Sequence, residues 1–296
     1  MSSYRFCRTD DVSLLVDALN RCWSPYFPGE PAVTPETFKR SIRDLQVWCS
    51  SCMVAFSGPD PIAVLIGAKR PSGTLIHKIA VHPDHCRQGH GRHLLTSLSS
   101  KLAILGPPRM TAEIPETFTP TCELFAACGY AQEAVLTDYV FEAPALPALS
   151  ERASGAAGGT RVEGSERVEA LVIPVTVDDL VANGLLEADP RFCWERSVQT
   201  LTARKDEIEG LAVASDERYE AVILYLKDGE ILSMRSFVED GGARLKQLLS
   251  RLGAQGKQTF RFPKVHPAEI STELIERLAF RPAGAHRLYA ARARSN

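Results

Sequence analysis

The sequence predicts an α/β protein built from two tandem units, and three observations carry that reading. Residues 143–166, APALPALSERASGAAGGTRVEGSE, are rich in Ala, Pro, Gly and Ser and lack an apolar period, which is the composition of a linker. Strand-like and helix-like segments follow one another in the same order on either side of it. Residues 74–98, TLIHKIAVHPDHCRQGHGRHLLTSL, run from an apolar strand through a glycine-bearing loop into an amphipathic helix. The boundaries fall at 1–142, 143–166 and 167–296.

In the first unit, Tyr4 to Arg8 reads as a strand, and Asp10 or Asp11 caps a helix whose apolar face includes Leu14, Leu15, Ala18 and Leu19. After the loop WSPYFPGEPAVTP, Thr34 caps a second helix with Pro35 at its first position. Val54 to Phe56 and Ile62 to Ala68 are strands joined by the turn SGPDP. The strand Leu75 to Val81 and the helix from Arg92 follow. Met110 to Ile114 is a strand, Thr119 to Cys128 a helix and Val135 to Phe141 a closing strand.

The second unit repeats the order with little residue identity. Ala170 to Val175 is a strand, and Thr176 opens a helix with Asp178 and Asp179 in its first turn. Arg191 to Ala203 reads as a second helix. Strands at Gly210 to Ala214, Tyr219 to Lys227 and Ile231 to Val238 come next, the last two joined by Asp228-Gly229. Ala243 to Leu252 is a helix, Thr259 to Phe262 a strand, Glu269 to Leu278 a helix and Arg287 to Ala291 the last strand. Where the first unit spends residues 82–91 between strand and helix, the second has only Glu239, Asp240, Gly241 and Gly242. Two acidic side chains at a helix N-terminus occupy or repel an anion there.

Length and composition bound the function. The 296 residues suit two domains, and 45% apolar with 24% charged residues is ordinary for a globular chain. A net charge of -2 argues against a nucleic-acid or membrane-surface partner. No stretch reaches the roughly 20 apolar residues of a membrane span, and MSSYRFCRTDD has no apolar leader, so the expected compartment is the cytoplasm. The cysteines are irregularly spaced, and the pair Cys49 and Cys52 has no second pair to complete a metal site.

The segment 74–98 resembles the acyl-CoA-binding motif of the GNAT superfamily of N-acyltransferases, roughly VHPxxRxxGxGxxLL. The helix N-terminus and the loop amides suit an anion, and the glycines permit close backbone approach. The resemblance implies, for each unit, a mixed and mostly antiparallel sheet flanked by helices. It also implies that Ile79, Ala80 and Val81 line the pantetheine arm. Arg87, Gln88, Gly89, His90, Gly91 and Arg92 would wrap the diphosphate through main-chain amides. The family's leading Gln or Arg is Cys86 here. The pattern resembles a tandem-GNAT protein with an intact N-terminal copy and a degenerate C-terminal copy.

The implied reaction transfers an acyl group from acyl-CoA, acetyl-CoA first among them, to a primary amine of a small molecule. A backbone N–H near Ala80 or Val81 would polarise the thioester carbonyl. The family's usual acid for the leaving thiolate is a Tyr four residues before a Gly. In CELFAACGY the Gly is Gly129 and the Tyr position is Phe125. Cys122, Tyr130, Tyr139 or water are the replacements. For the base, His77 stands first because imidazole titrates in the useful range, against the alternative of a histidine on the outer sheet face. Glu113 and Glu116 come next, as bases, as ligands for a cationic amine, or simply as a solvated strand end. Trp23, Tyr26, Phe27, Glu30 and, farther on, Trp48 are placed to wall the acceptor or to pack their own loop. His82, His85, Cys86 and His90 match no common zinc spacing, so no metal is expected. The alternative to an enzyme is a non-catalytic acyl-CoA-binding structural or sensor protein.

Overall fold

The computed structural model describes residues 2–143, 171–186, 191–216 and 218–294. Residues 144–166 of the expected linker lie outside the described residues. In the N-terminal half, the chain forms β1 (Ser2–Phe6), α1 (Val12–Cys22), α2 (Pro35–Leu45), β2 (Met53–Ser57), β3 (Asp60–Arg70), β4 (Gly73–Val81), α3 (His90–Leu105), β5 (Arg109–Pro115), α4 (Thr119–Ala127) and β6 (Ala131–Glu142). The C-terminal half follows with β7 (Leu171–Pro174), α5 (Val177–Ala182), α6 (Val198–Ala203), β8 (Ile208–Ala214), β9 (Tyr219–Leu226), β10 (Ile231–Ser236), α7 (Ala243–Gly253), β11 (Thr259–Val265), α8 (Thr272–Arg277) and β12 (Arg281–Arg292).

Local chemistry explains the helix starts. Thr34 and Thr176 each form a capping box, with their hydroxyls accepting from the N–H groups of Thr37 and Asp179. Two sequence expectations change. The stretch 191–203 is not one helix. It makes a short 3-10 turn at Trp194–Arg196, extends at Ser197, and only then enters α6, with the Ser197 hydroxyl as its cap. The last strand begins at Arg281 rather than Arg287, because it finds ladder partners on both sides.

Two sheets form, in the orders β1-β2-β3-β4-β5-β12-β6-β11 and β10-β9-β8-β7. The pairings are antiparallel except β4–β5, so the sheets are mixed and mostly antiparallel. The order reveals an exchange that the sequence does not show. β12, from the C-terminal half, pairs with β5 from Arg292↔Arg109 to His286↔Pro115. β6, from the N-terminal half, pairs with β11 from Thr259↔Glu142 to Val265↔Thr137. The two exchanged strands also pair with each other. Their side chains follow them. Tyr139 and Phe141 pack in the core of the C-terminal half with Phe260, Phe262 and Phe280, while Tyr289 packs in the N-terminal core with Phe125 and Tyr130. Among the described residues, no helix is long and apolar enough to cross a membrane.

Candidate active site

The site begins where β4 and β5 part. These parallel strands pair only at Thr74↔Met110 and Leu75↔Thr111. Immediately beyond, the β3–β4 register slips between Ile66↔Lys78 and Gly67↔Ile76, which makes His77 the extra residue of a β-bulge. A bulge bends its strand and increases local twist, and β4 leaves β5 from that point. The gap-facing groups follow from ladder alternation. His82 N–H donates to Ile62 O at 2.8 Å. Ala80 therefore turns its N–H and C=O toward β3, and Ile79 and Val81 turn theirs into the gap. The donors facing a carbonyl seated there are thus Ile79 and Val81, and the expectation for Ala80 is corrected by one register step.

The loop after β4 continues this open backbone. Arg87 and Gly89 have positive φ, 62° and 87°, in the alternating manner of an anion-binding nest. His85 and Cys86 N–H groups close a 3-10 turn on His82 O and Pro83 O. The next six N–H groups, Arg87 through Arg92, donate to no acceptor among the described residues. They surround the N-terminus of α3, where the helix dipole adds positive potential. Gly89 has open space around its Cβ position, and its φ makes any side chain strained. Gly91 serves a different purpose. A Cβ there would stand 2.8 Å from a terminal methyl of Leu124, so this glycine sets the approach of α3 to α4. His90 is buried, its Nδ1 2.6 Å from the Tyr4 hydroxyl. Tyr26 donates its hydroxyl to the gap-facing Val81 O at 2.7 Å and touches Cys86 Sγ at 3.1 Å.

The candidate side chains meet different fates. His77 is half-buried and makes no hydrogen bond among the described residues. Burial pushes its imidazole down to about 4, with the nearby Glu195 carboxylate opposing the shift. Glu113 is engaged by the other half of the molecule. It accepts Trp194 N–H at 2.9 Å and lies 3.1 Å from Lys264 Nζ, with its side chain only 6% exposed. Glu116 is exposed at the end of β5 and bound by Arg287 at 2.8 Å. Tyr139, carried away by β6, sits in the C-terminal core and does not serve as the leaving-thiolate acid. Phe125, Tyr130 and Cys122 are buried in the N-terminal core, and burial raises the Tyr130 phenol. Trp23 spends its ring face on Lys78, whose Nζ lies 4.0 Å from the ring centroid, and its indole N–H on Glu30 at 3.2 Å. Phe27 stacks on Trp23, and Trp48 stands 54% exposed.

Two residues that sequence reading missed, Glu195 and Lys264, stand against this site. Lys264 Nζ pairs with Glu195 at 2.8 Å as well as with Glu113. Glu113, Glu195 and Cys193 bring ligand-type atoms within 4.8 Å of one another, but the Lys264 ammonium already supplies the cation there. No local pattern marks either residue, because both lie far from β4 and β5 in sequence: Lys264 arrives on β11, which pairs with β6, and Glu195 on the 3-10 turn that Trp194 fastens to Glu113 and Leu45.

The model of the acetyltransferase (GNAT) family matches residues 14–130. The match falls within the N-terminal half. No curated protein sequence matches the chain. Among solved structures, the chain is similar to a GCN5-related N-acetyltransferase from Sphaerobacter thermophilus, with 13% identity, a TM-score of 0.63, and 99% of this chain and 96% of that one covered. It is similar to a putative acetyltransferase from Pyrococcus horikoshii at 17% identity and a TM-score of 0.62, covering 99% and 90%. It is also similar to a tandem GNAT protein from the clavulanic acid biosynthesis pathway at 15% identity and a TM-score of 0.61, with both chains covered over 100%. The fold is therefore the tandem GNAT fold. In the C-terminal GNAT-like half, β10 and β11 also part after one bridge, Glu230↔Arg261. There the helix N-terminus is filled from within: Asp240 accepts the N–H groups of Gly242 at 2.8 Å and Arg244 at 2.7 Å.

Proposed function

We propose that the protein is an acyl-CoA-dependent N-acyltransferase that uses acetyl-CoA and acylates a primary amine of a small substrate. The observation that carries this reading is the continuity of two open backbone surfaces. The gap-facing N–H and C=O of Ile79 and the N–H of Val81, whose carbonyl is taken by Tyr26, lead to the six free N–H groups of Arg87 to Arg92. That sequence of sites fits an extended, amide-bearing arm ending in a diphosphate. Bound acyl-CoA supplies an activated thioester. The N–H groups of Ile79 and Val81 are aimed where a carbonyl gains charge, and preorganised donors of this kind are worth about 100-fold or more in rate. His77 makes no side-chain hydrogen bond among the described residues and is neutral at physiological pH, so its lone pair is open to the ammonium proton; burial, which takes its imidazole down to about 4 and out of the range the sequence suggested, makes it a relay toward water and not a strong base. With Phe125, Tyr130, Cys122 and Tyr139 packed in cores, water is left to protonate the thiolate.

The test is calorimetric titration with CoA, followed by thiol release from acetyl-CoA in the presence of primary amines. Absence of CoA binding overturns the reading. Binding without release for any amine favours the second reading, a non-catalytic acyl-CoA binder, which the burial of every tyrosine considered as acid supports.

A further inference from the structure

We propose that Glu195, carried by the C-terminal half, binds the ammonium group of the acceptor beside His77, so that the amine site is assembled from both halves of the chain. The inference deepens the transferase reading and rests on it.

The neighbouring carboxylates are engaged by other groups. Asp138 accepts Lys264 N–H at 2.7 Å and lies 3.3 Å from His286 Nδ1. Glu113 has one oxygen on Trp194 N–H and the other beside Lys264. Glu30 takes the Trp23 indole. Glu269, with a side chain 4% exposed, is bound by Arg196. Glu195 uses one oxygen on Lys264, keeps the other without a partner among the described residues, and leaves its side chain 27% exposed. Its carboxylate lies within 4.8 Å of that of Glu113, and Glu113 on β5 and His77 on β4 each stand two residues past the last β4–β5 pair, Leu75↔Thr111, so Glu195 and His77 flank the same mouth of the gap. An ionised carboxylate next to a neutral, unpartnered imidazole is the pairing that a protonated amine requires. One group holds the cation and the other can receive its proton.

Glu195 is also held firmly, as a binding residue must be. Trp194 on one side donates its backbone N–H to Glu113 and its indole N–H to Leu45 O at 2.8 Å. Arg196 on the other donates to Lys264 O at 2.9 Å and to Glu269. Arg70, from β3, stacks on the Trp194 ring at 4.0 Å and donates to Ser197 and Thr200. The turn that presents Glu195 is thus bolted to the N-terminal half, and the carboxylate has little freedom to lose on binding.

The experiment compares the parent with Glu195→Gln and Glu195→Asp, using putrescine, tyramine and L-lysine as probes. Thiol release gives KM for each amine and for acetyl-CoA. The His77 ring proton signals, observed with CoA present, report amine binding without turnover. Glu195→Gln is expected to raise the amine KM about tenfold or more while moving the acetyl-CoA KM less than about twofold, and Glu195→Asp to recover part of the loss. An unchanged amine KM, or an equal rise in both constants, overturns the proposal. Amines that shift His77 signals in the parent but not in Glu195→Gln, with no thiol released, sink the transferase reading and leave this one standing. Failure of all three probes to shift His77 in the parent overturns it.

Discussion

The two halves build the same loop and fill it differently. In each, a strand parts from its parallel neighbour, a glycine with left-handed φ (87° at Gly89, 90° at Gly242) precedes a helix, and a leucine of the following helix crowds a glycine at that turn. In the N-terminal copy, six consecutive N–H groups remain open. In the C-terminal copy the loop is short, and the Asp240 carboxylate receives two of the amides that an anion would bind. The backbone shape therefore specifies an anion site, while the side chains decide whether the anion comes from outside or from the chain itself.

Cutting the molecule between the copies is the most severe test of how independent they are. Residues 1–142 alone leave β5 without β12 along its whole length and bring β6 without the core that receives Tyr139 and Phe141. An open, apolar strand edge invites aggregation. The fragment is expected to be insoluble or associated when examined by size-exclusion chromatography, and to recover when residues 167–296 are co-expressed. A stable monomeric fragment with a cooperative melt would show that the exchange is dispensable.

Filling the N-terminal loop as the C-terminal one is filled comes next in size. Gly89→Asp places a β-carbon on a residue at φ 87° and a negative charge among the free amides. CoA affinity should fall by about 100-fold or more, measured by calorimetry, with a modest fall in Tm of about the size that a side chain at this φ costs, since the space around Gly89 is otherwise open. Gly241→Ala in the other copy should leave CoA affinity alone. Equal affinity in Gly89→Asp and the parent would remove the loop from the binding site.

The reverse exchange is smaller. Asp240→Gly deletes the internal carboxylate and leaves the amides of Gly242 and Arg244 unpaired. Loss of such a cap costs about 1 kcal/mol, and sulfate should restore part of the lost Tm in the variant but not in the parent. No sulfate dependence would mean that the C-terminal loop has lost more than its vacancy.

Much of this was legible in the sequence, and what was not has a common cause. Element order, the Thr34 and Thr176 caps and the acidic stopper at Asp240 are local, and residues within a few positions of one another determine them. The glycine loop between β4 and α3, with its free amides, was equally local. Strand exchange is not, because β6 and β12 carry the same apolar strand pattern whichever half they join. From that gap follow the misplaced expectations for Tyr139 and Glu113, since the first leaves with β6 and the second is claimed by Trp194 and Lys264. Gly91 also faces a terminal methyl of Leu124 at 2.8 Å, a neighbour the sequence does not reveal.

The smallest effect concerns pH and separates His77 from an ordinary surface histidine. Burial holds its folded pKa at about 4, below the ordinary imidazole value of 6.5. An unfolded chain therefore takes up the proton near pH 6.5, while the folded chain refuses it until about pH 4. Stability bound to this residue is complete above the upper value and is lost as pH falls between the two. Solvent access limits the loss to about 1 kcal/mol. His77→Gln should flatten the fall of Tm across that window, leaving a decline at lower pH as Glu195, held below the ordinary carboxyl range against its own burial by Lys264, resists protonation that the unfolded chain accepts near 4.5. In kinetics, an enzyme that binds the ammonium form beside an imidazole depressed to about 4 should give a log kcat/KM that is flat with pH below the acceptor amine's own ionisation, without a step at 6.5. A step there that disappears in His77→Gln would place the imidazole in water rather than in the bulge of β4, and the neutral base assigned to the N-terminal site would be lost.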